Sequence, residues 1–190
     1  MTHVLAIANQ KGGVGKTTTA VNLAASLARM ERRVLLIDLD PQGNATMGSG
    51  IDKADLEASV YDGLVGEVAI SEAIVDAEAA GFDLLGSNSE LTGAEIELLD
   101  LDRREYRLRD ELMSVRVRYD FVVIDCPPAL GLLTLNGLVA ADGVIIPMQC
   151  EYYALEGLTA LMSTVDRIAD SLNPKLKIGQ SHKMSAPLRL

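Results

Sequence analysis

The sequence has little of what redox sites and aromatic contact surfaces require. It contains no Trp, two Cys and 4% aromatic residues in 190. Aliphatic side chains must therefore build the core. The two cysteines, Cys126 and Cys150, are not spaced as Cys-x-x-Cys, and each follows an apolar, strand-like run. We predict that both are buried free thiols, and a metal or cluster site is the weaker alternative.

Long hydrophobic runs and excess positive charge are also absent. No apolar run approaches the roughly 18 residues that span a bilayer, and the first residues lack the basic region of a secretory signal. The net charge is −10, so any DNA binding must come from a local basic patch. We therefore expect a cytoplasmic protein without a membrane partner, in one domain with a sizeable core.

Apolar runs rich in β-branched residues alternate with helical patterns along the chain. This alternation predicts an α/β fold in three layers, with a mostly parallel sheet and helices on both faces. The region 41–81 is less regular and is expected to form loops and short helices. Strands are predicted at 4–8, 34–37, 82–85, 121–124 and 144–146, with the beginning of another at 175–178, and helices at 16–30, 93–117 and 154–171.

A glycine-rich stretch, KGGVGKTT at 11–18, follows the first predicted strand. Its glycines let successive N–H groups point at one anion, and Lys16 and Thr17 begin a helix whose positive end faces the same anion. The usual P-loop is G-x-x-x-x-G-K-[ST]. Here Gln10 stands at the first glycine position and a second lysine, Lys11, follows it. A turn that only caps a helix is the alternative, which the Lys-Thr pair disfavours.

This loop predicts contacts with a nucleoside triphosphate and Mg²⁺. The backbone N–H groups of 12–16 would cradle the β-phosphate, and Lys16 would neutralise charge on the β- and γ-phosphates. The Thr17 hydroxyl would be a ligand of Mg²⁺, and Thr18 would reach the α-phosphate. The residues predicted to bind nucleotide on these grounds are Gly12, Gly13, Val14, Gly15, Lys16, Thr17 and Thr18.

Three aspartates follow predicted strands, where ligands of α/β sheets bind. Asp125 ends an apolar strand in the Walker B manner and would hold Mg²⁺ through a water, unless it simply ends the strand. Asp40 could orient the attacking water, although initiating an Asp-Pro turn explains it equally well. Asp38 lies nearer the sheet and could support the metal shell. The predicted metal residues are thus Thr17, Asp125 and Asp38.

Several of these segments together resemble the ParA/MinD family with the deviant Walker A motif. They are Lys11–Thr17, Asp38–Asn44 and Asp125–Pro128; the segments 8–11, 132–136 and 149–157 resemble the ParA/Soj chromosome-partitioning branch. The resemblance covers about residues 3–178. It implies a P-loop NTPase-like fold.

The resemblance also implies a function. ATP would be sandwiched in a homodimer, with Lys11 reaching the phosphates held by the other subunit, Lys16 binding ATP and Asp40 positioning the water. A ParB-like partner would stimulate slow hydrolysis, and the ATP-bound dimer would bind DNA without sequence preference. Such a cycle segregates chromosomes or plasmids and implies association with the nucleoid.

The last residues depart from the family pattern. Family members continue with a strand, a turn that contacts adenine, and helices whose basic residues bind DNA, none of which is recognisable here. We expect an ATPase domain at 1–178 that is incomplete at its C-terminal end. The segment 179–190 is expected to be an unrelated or disordered tail, produced by truncation or a reading-frame change; a naturally short relative is the alternative.

Other functions stay open on the sequence alone. One is a hydrolysis-incompetent nucleotide-binding interaction protein, or a non-functional remnant. A MinD-like positioning ATPase would need an amphipathic membrane helix, which a tail broken by Gly179 and Pro187 does not supply. An iron–sulfur reductase of the nitrogenase iron-protein type would need cysteines that bridge two subunits, and the positions of Cys126 and Cys150 match this poorly.

Overall fold

One mixed sheet organises the protein. The computed structural model describes residues 2–148 and 154–178. Within them the sheet has the order β3-β4-β2-β5-β1-β6-β7, in which β3 is antiparallel to β4 and the other neighbouring pairs are parallel. The strands are β1 (His3–Ile7), β2 (Val34–Asp38), β3 (Ile74–Ala77), β4 (Phe82–Leu85), β5 (Phe121–Asp125), β6 (Gly143–Ile145) and β7 (Lys177–Ile178).

Helices cover both faces of this sheet. None of the helices in the described part of the chain is long and apolar enough to cross a membrane. The helices are α1 (Lys16–Arg29), α2 (Asn44–Gly48), α3 (Val60–Val65), α4 (Leu91–Glu97), α5 (Arg107–Leu112), α6 (Leu132–Ala140) and α7 (Ala154–Ser171), with 3-10 turns at Leu98–Asp100, Arg104–Tyr106 and Arg116–Arg118.

The central strands are buried on both faces, which explains their continuous apolar sequences. All five residues of β2 are buried. Leu35 and Ile37 join the larger core cluster with α3 to α7, whereas Val34 and Leu36 join the smaller cluster with α1. The predicted P-loop NTPase-like fold, with a mostly parallel sheet between helices, is confirmed.

The predicted helix at 93–117 is wrong. The segment holds two short helices, α4 and α5, separated by 3-10 turns, and Arg103 has a left-handed backbone with φ 55°. Local contacts stabilise this break. The guanidinium groups of Arg103 and Arg109 lie 4.9 and 4.3 Å from the centre of the Tyr106 ring, and Arg103 pairs with Asp110 at 2.7 Å. A charge-rich pattern favours a helix but does not reveal such a turn.

Two elements were not predicted. The region 41–81 contains short helices, as expected, but also β3, a four-residue edge strand too short and too exposed to show a clear pattern. Helix α6 is buried almost all round, so it lacks the apolar stripe that marks a surface helix. Cys126 is a buried free thiol, as predicted. Cys150 and the predicted tail 179–190 lie outside the described residues.

Candidate functional site

Three loops meet at the carboxyl edge of the sheet. Strands β2, β5 and β1 are adjacent in that order, and Asp125 is in register with Asp38 on one side and Ile7 on the other. The glycine-rich loop after β1, the loop after β2 and the end of β5 therefore leave the sheet side by side. The sequence-predicted residues of all three segments share this edge.

The glycine-rich loop has the geometry of an anion cradle. Gly13 and Gly15 have left-handed backbones, with φ 73° and 87°. A Cβ atom added at Gly12, Gly13 or Gly15 would meet no other atom within 4 Å. Helix α1 starts directly after Gly15, with no side-chain cap and no acidic residue in its first turn. The first turn of α1 therefore supplies no acid of its own to its positive end, which suits an anion.

Lys16 and Asn9 fix the shape of this loop. The Lys16 side chain is buried, and its Nζ donates to the Lys11 carbonyl at 3.2 Å. Asn9 accepts a hydrogen bond from the Lys11 N–H at 3.0 Å through Oδ1 and donates to the Pro147 carbonyl at 2.8 Å through Nδ2. The first turn of the loop is thereby fastened to the segment that follows β6.

Asp125 is a buried carboxylate to which the described chain donates no hydrogen bond. Its exposed fraction is 1%, and neither carboxylate oxygen has a partner. Its pKa is raised to about 7, chiefly by burial and in smaller part by the charges of Asp38 and Asp40. The Thr17 hydroxyl and the Lys16 ammonium act in the opposite direction from nearby, although neither makes a hydrogen bond of ordinary geometry with the carboxylate.

These residues fit Mg²⁺. A buried carboxylate without a hydrogen-bond donor, next to the hydroxyl of Thr17, is an oxygen-rich environment that a hard cation would stabilise. Among the described residues, no group of three or more His, Cys, Asp and Glu could hold a metal by itself. An ion here would take its other ligands from water and phosphate oxygens, as Mg²⁺ commonly does.

Asp38 is as deeply buried as Asp125 but is fully engaged by the protein. Its Oδ2 accepts hydrogen bonds from the Thr46 N–H at 2.8 Å and the Thr46 hydroxyl at 2.9 Å, and its Oδ1 accepts from the Asp40 N–H at 3.1 Å. Burial raises the pKa of Asp38, and these hydrogen bonds oppose the rise. The predicted contribution of Asp38 to the metal shell stays a prediction, because both of its oxygens already serve the chain.

Asp40 is half-buried and opens a tight turn. Its Oδ1 accepts from the Gln42 N–H at 3.0 Å, and its carbonyl accepts from the Gly43 N–H at 2.9 Å. The Asp-Pro turn weighed from the sequence is therefore present. That turn also holds Asp40 at the edge of the sheet, close enough to Asp125 for its charge to raise the Asp125 pKa, so the geometry is compatible with the predicted role in orienting water.

Three polar residues of the site escaped the sequence analysis as individual contributors. They are Asn9, described above, and Thr46 and Ser87, which are fully buried beside Asp38. Ser87 lies two residues after the end of β4, and the rule that singled out Asp38 and Asp125, a polar residue at the end of a buried strand, would have found it. Thr46 lies inside α2, and nothing in its sequence neighbourhood distinguishes it.

The fold and the loop define the class of protein. A glycine-rich loop between β1 and α1, with an aspartate ending the neighbouring strand β5, is the arrangement of P-loop nucleotide-binding proteins. The family model AAA_31, described as an AAA domain, matches residues 2–178.

Relatives specify the family further. The chain is 54% identical to the chromosome partitioning protein ParA of Caulobacter vibrioides, over 93% of this chain and 67% of that protein. It is 53% identical to the sporulation initiation inhibitor protein Soj of Bacillus subtilis, over 94% of this chain and 70% of that protein. The chain therefore belongs to the AAA_31 family and, within it, to the ParA/Soj-type proteins.

A solved structure supports the same assignment. A cobyrinic acid a,c-diamide synthase from Mycobacterium smegmatis, crystallised with an ATP analogue and magnesium, superimposes with a TM-score of 0.90 at 48% identity. The similarity covers 94% of this chain and 72% of that one. The ATP analogue and the magnesium bound to that protein are an anion and a cation, of the kinds that the glycine-rich loop and the Asp125 carboxylate suit.

Proposed function

We propose that this chain binds Mg-ATP at the carboxyl edge of the sheet and hydrolyses it slowly. The observation that carries the proposal is the buried Asp125 carboxylate, without a hydrogen-bond donor, at the same edge as the glycine-rich loop and Lys16. A buried carboxylate that accepts no hydrogen bond from the described residues is costly in a domain of ordinary stability. Binding a divalent cation and a triphosphate would offset that cost.

Each residue has a distinct part in the proposed reaction. The N–H groups of the loop and the start of α1 bind the phosphates, and Lys16 holds negative charge on the β- and γ-phosphates. Thr17 and Asp125 would hold Mg²⁺, the latter through a water. Asp38, on the strand next to Asp125, would support these two ligands. When bound, Mg²⁺ neutralises charge that develops on the phosphate oxygens. Asp40 orients the attacking water by accepting a hydrogen bond from it.

We further propose an ATP-dependent homodimer that acts in DNA segregation. Support comes from the resemblance of the Lys11 loop to the deviant Walker A motif and from relatives described as chromosome partitioning proteins. In this proposal Lys11 reaches the phosphates bound by the second subunit, much as an arginine finger does. A ParB-like protein stimulates hydrolysis. DNA binding without sequence preference, which would place the dimer on the nucleoid, requires the basic C-terminal region that is not recognisable in this sequence.

Nucleotide binding and turnover of matched variants test the first proposal. We expect wild type to bind ATP with a dependence on Mg²⁺. Lys16→Ala should lose binding, and Asp40→Ala should bind but not turn over. Lys175→Ala, which removes an exposed lysine before β7, is the control and should match wild type. If wild type binds no ATP, the proposal is wrong; if it binds without turnover, a nucleotide-binding interaction protein replaces it.

Mass in solution and DNA retention test the second proposal. With ATP, the wild-type chain should sediment as a dimer, and Lys11→Ala should remain a monomer although it still binds nucleotide. Retention on DNA should need ATP and fall steeply with salt. A dimer that forms equally well in Lys11→Ala would contradict the role of Lys11.

A further inference from the structure

A closed ring of hydrogen bonds surrounds the backbone of Asp40. Asp38 Oδ1 accepts from the Asp40 N–H at 3.1 Å, and the Asp40 carbonyl accepts from the Ser87 hydroxyl at 2.8 Å. The Ser87 N–H donates to Thr46 Oγ1 at 2.9 Å, and that hydroxyl donates to Asp38 Oδ2 at 2.9 Å. We call this ring, formed by Asp38, Asp40, Thr46 and Ser87, the Asp40 clamp.

The clamp joins three separate elements behind the site. Asp38 ends β2, Thr46 lies in the first turn of α2, and Ser87 follows β4. These three side chains are fully buried, so water cannot replace a lost bond without rearrangement. Asp38 also accepts from the Thr46 N–H at 2.8 Å, which caps the start of α2. The N–H and the carbonyl of Asp40 are thereby hydrogen-bonded to buried side chains of Asp38 and Ser87.

We propose that Thr46 and Ser87 are positioning residues, which set the place of Asp40 for the attack of water on the bound nucleotide. This inference rests on the proposed function. Neither side chain is a catalytic residue: Ser87 bonds the Asp40 carbonyl, and Thr46 bonds Asp38 and Ser87, which hold the Asp40 backbone. Hydrolysis is sensitive to such placement, since an error of about 1 Å in a reacting group can cost about 100-fold in rate. Nucleotide affinity depends on the loop after β1 and is separate from the clamp.

The main test is Ser87→Ala in the full chain. Removing the hydroxyl leaves the Asp40 carbonyl with only its local bond from the Gly43 N–H among the described residues. We therefore expect kcat for Mg-ATP to fall about tenfold while KM stays within about twofold. Ser49→Ala is the matched control: Ser49 is buried in the same region, and among the described residues its hydroxyl bonds only the Ala45 carbonyl, at 2.7 Å. That variant should keep the wild-type kcat.

Two variants of Thr46 separate the hydroxyl from the packing. Thr46→Val keeps the shape but breaks the ring at two bonds, so kcat should fall by at least as much as in Ser87→Ala. Thr46→Ser restores the hydroxyl and should return kcat to within about threefold of wild type. If KM rises while kcat is unchanged, or if Thr46→Ser is as slow as Thr46→Val, the positioning role is wrong.

Amide hydrogen exchange provides a readout that does not need turnover. In Ser87→Ala, the N–H groups of Asp40 and Thr46 should exchange about tenfold faster, since their local opening becomes easier. The Ser49→Ala variant should leave both unchanged. Unchanged exchange in Ser87→Ala would overturn the proposal whatever the rates. Absence of turnover in wild type would instead contradict the proposed function, and exchange would still decide whether the clamp holds Asp40.

Discussion

Asp38 and Asp125 occupy equivalent positions on adjacent strands, yet the protein treats them in opposite ways. They are directly paired in register, and both are almost completely inaccessible. Asp38 accepts three hydrogen bonds from the chain, whereas Asp125 accepts none from the described residues. Two aspartates at the same depth therefore differ in role: Asp38 is part of the hydrogen-bonded framework, and Asp125 is a candidate metal ligand.

The difference shows where to look for function in a sheet of this kind. Burial alone does not separate the two residues, and neither does the direction of the pKa shift, which is upward in both. What separates them is whether donors from the fold compensate the buried charge. A carboxylate that accepts hydrogen bonds from the fold stabilises the structure. One that accepts none is stabilised by binding a cation instead.

The largest expected effect concerns the pH dependence of stability. Because the pKa of Asp125 is about 7 in the folded state against an ordinary 3.8, the folded state holds a proton that the unfolded state loses. Stability should therefore fall as pH rises from about 4 to about 7, by up to about 4 kcal/mol from this group. Urea unfolding across this range should show a steeper fall in wild type than in Asp125→Asn, in which the raised pKa of Asp38 still contributes.

The control for this titration is Asp120→Asn. The Arg33 guanidinium lowers the pKa of Asp120 to about 2, so this group stabilises the fold above the ordinary carboxyl pKa and loses its effect only as pH falls below about 4. Its removal should leave the slope between about pH 4 and about pH 7 unchanged. If the free energy of unfolding depends on pH equally in wild type and Asp125→Asn, the pKa of Asp125 is not raised, and the fold does stabilise its charge.

A direct truncation of each aspartate is expected to have the next largest effect. Asp38→Ala leaves two buried donors of Thr46 and the half-buried Asp40 N–H without their acceptor, and should lower the free energy of unfolding by about 3 kcal/mol at pH 7. Asp125→Ala removes the same atoms at the same depth but strands no donor, so its stability should stay within about 1 kcal/mol of wild type or rise. Denaturant unfolding midpoints measure the stability of both variants. An equal loss of stability in Asp38→Ala and Asp125→Ala would show that the two carboxylates do not differ in this way.

Ligand-induced stabilisation should sharpen the contrast further. At Mg-ATP concentrations near 100 times its Kd, wild type should gain about 2.7 kcal/mol, and Asp125→Asn should gain much less. Thermal unfolding with ATP alone and with Mg-ATP isolates the part that the ion supplies. The predicted place of Asp38 in the metal shell requires a reduced gain in Asp38→Asn as well, and an undiminished gain there would contradict it.

The smallest expected effect compares the loops that follow β1 and β2. Gly43 has φ 64°, and a Cβ there would lie 2.8 Å from the Ser87 carbonyl. Gly43→Ala should therefore cost about 1–2 kcal/mol. Gly12→Ala meets no atom within 4 Å and should stay within about 0.5 kcal/mol. Unfolding curves of both variants check this, and a similar cost at Gly12 would mean that the first loop is also closely packed.

The sequence predicted the elements whose signal is local. The buried strands β1, β2, β4 and β5 were found because both of their faces are apolar, and α1 and α7 because their patterns are regular. The glycine-rich loop was predicted because the residues that would bind phosphate are consecutive in the sequence. The break at Arg103 was missed because ring stacking and an ion pair across several residues create it, and β3 was missed because a short edge strand carries little pattern.

The site was only partly predictable for the same reason. Asp38 and Asp125 have nearly identical neighbourhoods in the sequence, Leu-Ile-Asp and Val-Ile-Asp. Their different environments come from Thr46 and Ser87, which reach the end of β2 only after α2 and β4 have packed. No spacing rule connects residues 38, 46 and 87. Which aspartate is compensated is a tertiary property, and it needs the folded structure.

The adjacency of β2, β5 and β1 also has a consequence for synthesis on the ribosome. The loop, Asp38 and Asp125 come from strands that are neighbours in space but span 3–125 in the chain. Because β5 inserts between β1 and β2, the site cannot assemble until Asp125 has left the exit tunnel, whatever local structure has formed before. Nucleotide capture by nascent chains of increasing length would therefore time the closure of the central sheet.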